Sequence, residues 1–239
     1  MTPDVSVVLP TYNEAQTLPR MIERIAAAFR SMGINGEILV VDDNSPDGTG
    51  DLADSLSLKF PVRTIHRPGK AGLASAALAG FREASAPLIA LMDSDGSHPP
   101  EALSAMEKIL RERTDIDCVV GSRFVYGGET RGWPFYRHMA SALARAVVLP
   151  LTSVRDSTSG FFMFRRYLVG RLREVGGFKI GLELFARVPS RKILEVPISF
   201  ADRAAGKSKL GGGVIRAYLE QLVSLYRLKL TGKLREHAS

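Results

Sequence analysis

The sequence predicts an α/β fold, a mainly parallel central sheet flanked by helices. Three observations carry the prediction. Short apolar runs without polar alternation read as strands buried on both faces, the habit of parallel sheets. Segments with apolar residues at helical spacing alternate with these runs, and that alternation implies parallel pairing through right-handed crossovers. Several runs end in acids, at the carboxyl ends of strands where such sheets bind their ligands.

The first run, 5–9, stops at Pro10. A helix is predicted over 15–32, with Leu18, Ile22, Ile25 and Phe29 at helical spacing, Thr17 as N-cap and Pro19 near the first turn. Residues 38–41 read as the second strand, and Asp43 to Gly48 as a turn cluster. A helix over 49–58 and a strand over 62–66 follow, then a small-residue helix over 73–84. The fourth strand spans 87–92, a helix spans 100–111 and the fifth strand spans 118–121. The second half is less regular. It offers a helix over 136–149, strands over 161–164 and 193–199, a short helix over 166–174 and an amphipathic helix over 214–229. Pro197 marks the 193–199 strand as an edge. Residues 201–213, rich in Gly and Lys, read as a loop.

At 239 residues the chain fits one large domain, or one with a C-terminal extension. Cys118 is the single cysteine, which rules out an intramolecular disulfide and a cysteine-rich metal site and fits a reducing compartment. No secretory signal and no membrane-spanning run is legible. Residues 1–110 hold 9 Lys and Arg against 14 acids, and residues 111–239 hold 23 against 11. The acidic half suits a cation, and the basic half suits a polyanion or an anionic membrane surface. Nucleic acid is not an expected partner, because no aromatic–basic RNA motif is present and the acidic half would repel a phosphate backbone.

The acids carry the chemistry. Tyr12 and Glu14 follow the first strand, Asp42 and Asp43 the second, Asp93 and Asp95 the fourth. Two carboxylates one residue apart at a strand end can share a divalent cation, and a hard cation is often completed by substrate phosphates. Asp42 or Asp43 is suited to accept bonds from a base or ribose. The Gly-rich basic turn from Arg67 to Leu73 can hold phosphate or shape a nucleotide pocket, although it lacks phosphate-loop spacing. No Gly-x-Gly-x-x-Gly follows the first strand, which excludes a dinucleotide fold.

Val-Val-Leu-Pro-Thr-Tyr-Asn-Glu at 7–14, Val-Asp-Asp-Asn-Ser-Pro-Asp-Gly-Thr at 41–49 and Asp-Ser-Asp-Gly-Ser-His-Pro-Pro-Glu at 93–101 together resemble the motifs of the inverting family-2 glycosyltransferases of GT-A fold. Gly121 to Gly128, Arg137 with Ser141, Asp156 to Phe161, Lys179 with Glu183, Glu195 to Ile198, and Arg203 with Gly206 to Leu210 are similar to the polyprenyl-phosphate hexosyltransferases within it, dolichol-phosphate mannose synthases included.

The resemblance implies nucleoside contacts from Pro10, Tyr12, Glu14 and Asp42, and Mg2+ or Mn2+ held on the donor diphosphate by Asp93 and Asp95. The third metal position, usually Gln in the mannose synthases, is Ser97 here. Asp95 and Arg123 are the implied catalytic residues, with Arg123, Arg137, Ser141, Arg203 and Lys209 around the acceptor phosphate. Arg suits that task because its planar fork grips phosphate oxygens bidentately. The implied reaction moves a hexose, mannose from GDP-mannose foremost, onto a polyprenyl phosphate with inversion. The alternative is another nucleotide sugar, such as UDP-glucose, or a soluble acceptor. Residues 1–212 form the implied catalytic domain, and 213–239 an amphipathic helix and basic tail that either belongs to it or lies in a membrane interface. The expected location is cytoplasmic and peripheral to a membrane, and the resemblance admits a small membrane partner subunit. Tyr136, Met139, Ala140, Leu143 and Val147, with Trp133, form one candidate interfacial stripe; Ile215, Tyr218, Leu222, Leu225 and Leu228 form the other.

Overall fold

A computed structural model describes residues 2–130, 145–172, 179–200 and 212–234. Its centre is a sheet of seven strands, β1 (Val5–Thr11), β2 (Gly36–Asp42), β3 (Val62–His66), β4 (Leu88–Leu91), β5 (Cys118–Ser122), β7 (Phe162–Arg165) and β8 (Ile193–Pro197). Their order across the sheet is β3-β2-β1-β4-β7-β5-β8. A two-stranded parallel ladder joins β6 (Glu129–Thr130) to β9 (Ser199–Phe200). All pairings in the large sheet are parallel except those of β7, which runs antiparallel between β4 and β5. The fourth and fifth strands are therefore not neighbours. As expected, the strand carrying Pro197 lies at a sheet edge, but it ends there and Ser199–Phe200 pairs elsewhere.

Strands β1, β4 and β5 are buried along their whole length because helices cover both faces of the sheet, whereas β3 at the edge carries Arg63, Thr64 and His66. Along β1, Val7 and Leu9 enter one cluster with Ile22, Ile25 and Phe29, while Val8 enters the other with Ala77, Leu78 and Phe81. The first cluster is covered by α1 (Leu18–Met32) and α4 (Ala102–Glu112), the second by α3 (Leu73–Glu83). The small residues of α3 let it lie close: a Cβ on Gly80 would stand 2.4 Å from Val8 Cγ1. Helix α2 (Thr49–Leu56) packs beside β3.

Helix α1 starts three residues later than predicted. Thr17 occupies the N-cap position but makes no capping bond; its hydroxyl donates to Glu14 Oε2 at 2.8 Å instead. The short helix after β7 is a 3-10 turn over Arg166–Arg171. Helix α5 (Ile180–Arg187) is buried along its whole length, and Glu183 is spent there on Arg187, 2.6 Å away.

The last helix, α6 (Gly212–Leu230), turns Leu222 and Leu225 inward against Val148, Leu151, Leu182 and Ala186. Tyr226 Oη and Lys229 Nζ donate to the carbonyls of Val147 and Pro150. The stripe offered as interfacial thus packs on protein at its centre. A different set faces outward: Leu219 is 54%, Val223 51% and Leu230 86% exposed. Of the earlier stripe, Trp133, Tyr136, Met139, Ala140 and Leu143 lie outside the described residues, as do most of 201–213. Among the described residues no helix is long and apolar enough to cross a membrane.

Candidate active site

Parallel pairing sets β1, β2 and β4 side by side with their carboxyl ends on one rim. Thr11 pairs with Asp42, and Val8 with Leu91. The loops beyond β1 and β2 are stitched together: the backbone N–H groups of Asn13, Glu14 and Ala15 donate to Ser45 Oγ, Thr49 Oγ1 and Asp47 Oδ2 at 3.0, 2.9 and 3.2 Å. Asn13 and Asn44 take positive φ, 61° and 57°, which short polar side chains tolerate best after glycine. Ser94 Oγ reaches the Pro10 carbonyl at 3.4 Å, tying the β4 turn to the same place.

The two acids at the end of β2 divide their work. Asp43 accepts from Arg67 Nη1 and, through Oδ2, from the N–H groups of Ala71 and Gly72 at 3.2 and 3.1 Å. It anchors the Gly-rich turn, and Arg67 is committed to it and to Ser75. Asp42 accepts from Ser45 Oγ at 2.5 Å and from Ser45 N at 2.9 Å. The anchored turn puts Lys70 Nζ 3.8 Å above the centre of the Tyr12 ring, so Tyr12, Asp42 and Lys70 share one end of the rim.

The Asp93–Asp95 turn is built from within. Asp95 is 5% exposed, and its Oδ1 accepts from Ser97 N at 3.0 Å and Ser97 Oγ at 2.5 Å. Ser97, expected as a third metal position, therefore directs its proton at the second acid. The Asp93 side chain is 29% exposed. The Asp93 N–H donates to Nδ1 of buried His98 at 3.0 Å. Burial pushes the His98 imidazole below its usual pKa, against the upward pull of Asp93 and Asp95. Gly160 passes alongside, where a Cβ would lie 3.3 Å from Asp93 Oδ2.

Arg123 follows β5 on the same rim. Its Nε and Nη2 donate to Asp156 at 2.8 and 2.7 Å, and Nη2 also reaches Thr158 Oγ1 at 3.1 Å. Glu195 on β8 accepts the N–H groups of Arg155 and Asp156 at 2.9 and 3.0 Å, which fixes that loop. Lys179 Nζ lies 3.3 Å from the Thr158 carbonyl. Arg123 was expected as a phosphate cation; here its guanidinium is braced by a buried carboxylate. Arg137, Ser141, Arg203 and Lys209 lie outside the described residues.

Tyr12, Glu14, Asp42, Asp93, Asp95 and Arg123 thus lie at or just beyond strands that end on one rim. Reasoning from sequence assigned no task to Asp156, Glu195 or His98. Their signal was membership of the quoted motifs, which does not reveal who bonds to whom. Among the described residues no three His, Cys, Asp or Glu side chains meet as a complete metal cage. Asp93 and Asp95 nevertheless supply hard oxygen donors, one of them open to solvent, and Gly160 leaves space beside it. That fits a cation whose remaining ligands are water and diphosphate oxygens.

The model for glycosyl transferase family 2 matches residues 6–173. The chain is 41% identical over 228 residues to a dolichol-phosphate mannosyltransferase of Pyrococcus furiosus, covering 93% of this chain and 64% of that protein. It thus spans just under two thirds of the archaeal relative. It is 38% identical over 239 residues to the dolichol-phosphate mannosyltransferase of Mycosarcoma maydis, covering 95% of this chain and 81% of that one. The fold is that of GT-A enzymes: a glucosyl-3-phosphoglycerate synthase of Mycobacterium tuberculosis, solved with Mn2+, UDP-glucose and phosphoglyceric acid, superposes with a TM-score of 0.70 at 22% identity, over 93% of this chain and 79% of that one. Matched along most of its length by the family model and by relatives of this identity, the chain belongs to glycosyl transferase family 2.

Proposed function

We propose that this chain transfers mannose from GDP-mannose to a polyprenyl phosphate, inverting the anomeric centre. The carrying observation is the gathering of strand-end acids on one rim with Asp93 open to solvent. The names of the relatives support the sugar and the lipid acceptor.

Tyr12 offers a ring face to the base, and Asp42 a carboxylate preset by Ser45. Asp93 and Asp95 would hold Mg2+ or Mn2+, with Ser97 bracing Asp95 rather than serving as a third ligand. Bound there, the ion supplies charge neutralisation for the donor diphosphate. A lipid phosphate is already anionic at neutral pH, so its oxygen attacks the anomeric carbon without a general base. The need is to bring two anions together. Arg123, held in place by Asp156, brings a guanidinium charge to the rim for that purpose. Arg137, Ser141, Arg203 and Lys209 complete the acceptor side in this reading.

The outward residues Leu219, Val223 and Leu230, with Arg216, Arg227 and Lys229 on the same helix, would rest on a membrane surface. Leu219→Glu with Val223→Glu is expected to abolish flotation with anionic vesicles, and undiminished flotation would reject this role. The reaction itself is tested with labelled GDP-mannose, Mg2+ and a short polyprenyl phosphate. Labelled lipid is the expected product; no transfer from any nucleotide sugar would defeat the proposal.

A further inference from the structure

His98 is buried, titratable and unused by the reaction above. Its Nδ1 accepts the backbone N–H of Asp93 at 3.0 Å, so the ring proton sits on Nε2. Two aromatic rings fix its plane. Phe161 stacks on it at 5.3 Å between centroids, and Phe200 meets it edge-on at 5.5 Å. Phe200 also lies 5.1 Å below the Arg123 guanidinium. On the remaining side Gly160 comes close, since a Cβ there would stand 3.4 Å from His98 Cε1. The imidazole thus has little freedom to turn or shift, and its one acceptor points at the peptide N–H of the first acid.

We infer that His98 is a positioning residue for the donor clamp: through Nδ1 it fixes the backbone of Asp93 and so the direction of that carboxylate. Ser97 makes its own two bonds to Asp95. The bond to the Asp93 peptide can therefore be removed with those two left in place. The inference rests on the reading of Asp93 and Asp95 as the diphosphate clamp.

The test compares His98→Asn, His98→Gln and His98→Ala. Asn places an amide oxygen near the Nδ1 position, Gln places it near Nε2 and Ala has none. All three lose the aromatic stacking, so general loosening affects them alike. Calorimetry measures GDP affinity with Mn2+ and with chelator, and the clamp is read as the gain that Mn2+ confers. His98→Ala and His98→Gln are expected to lose about tenfold of that gain, roughly one hydrogen bond in a charged site. His98→Asn is expected to keep it, and metal-free GDP affinity stays equal in all four proteins. An Asn variant as weak as the Gln variant overturns the inference. So does a parallel fall in metal-free affinity, an Ala variant with an intact gain, or a parent protein with no gain. A parent with the expected gain but no mannose transfer contradicts the proposed reaction alone.

Discussion

Asp156 is fully buried and grips Arg123 with both carboxylate oxygens, at 2.8 and 2.7 Å, while also accepting the Arg123 backbone N–H at 3.0 Å. A carboxylate so placed makes the arginine a rigid part of the rim. Asp156→Ala would leave a mostly buried guanidinium without its counter-charge. The expected cost is about 3–5 kcal/mol of stability, read by urea unfolding. Asp156→Asn keeps the shape and one acceptor and is expected to lose less. Equal stability of the Ala variant and the parent would refute the role given to this pair.

Ser97 gives its hydroxyl proton to Asp95 Oδ1 at 2.5 Å. Removing one charge-assisted bond while leaving the backbone bond in place should weaken Mn2+-dependent GDP binding about tenfold. Ser97→Ala is expected to do this without lowering the melting temperature by more than a few degrees, and Ser97→Thr should restore binding. Unchanged affinity in Ser97→Ala would show that Asp95 needs no such brace.

Gly160 faces Asp93, and an added methyl would come within 3.3 Å of one carboxylate oxygen and 3.5 Å of the other. Gly160→Ala should therefore push Asp93 by a few tenths of an ångström. Mannose transfer is expected to need more Mn2+ for half-maximal rate, with the far-ultraviolet circular dichroism unaltered. A metal titration matching that of the parent would contradict this.

Glu37 ties the start of the sheet, accepting from Ser6 Oγ, Ser85 Oγ and Ser85 N at 2.5, 2.7 and 2.9 Å. Burial raises its pKa, but the bonds from Ser6 and Ser85 and the Arg63 charge outweigh it, leaving the carboxyl below 4.5. A depressed folded-state pKa stabilises fully above the unfolded value and is lost as pH falls through the folded one. Glu37→Gln should melt earlier than the parent at pH 7, with the gap closing as pH drops below 4.5. A gap constant with pH would argue against this linkage.

Much of the α/β order was legible because strand and helix periodicities are local. The apolar runs at 5–9 and 87–92 announce burial on both faces, and the acids after them announce the rim. The position of β7 was not legible. Phe162–Arg165 reads as a buried strand, but nothing in a run of Phe, Met and Phe says that it inserts antiparallel between β4 and β5. Residue type and spacing alone did not separate Asp42 from Asp43; only the family resemblance pointed to Asp42. Both follow a buried strand, and only the fold brings the Ala71 and Gly72 amides to the second. Thr17 looked like a cap, and a neighbouring carboxylate took its hydroxyl.

Crystals soaked with GDP and Mn2+, with anomalous data collected at the manganese edge, would locate the ion. The expected peak lies within coordination distance of both the Asp93 and Asp95 carboxylates and of the GDP diphosphate. A peak bound elsewhere, or GDP held on the rim with no ion between it and these two acids, would contradict the clamp.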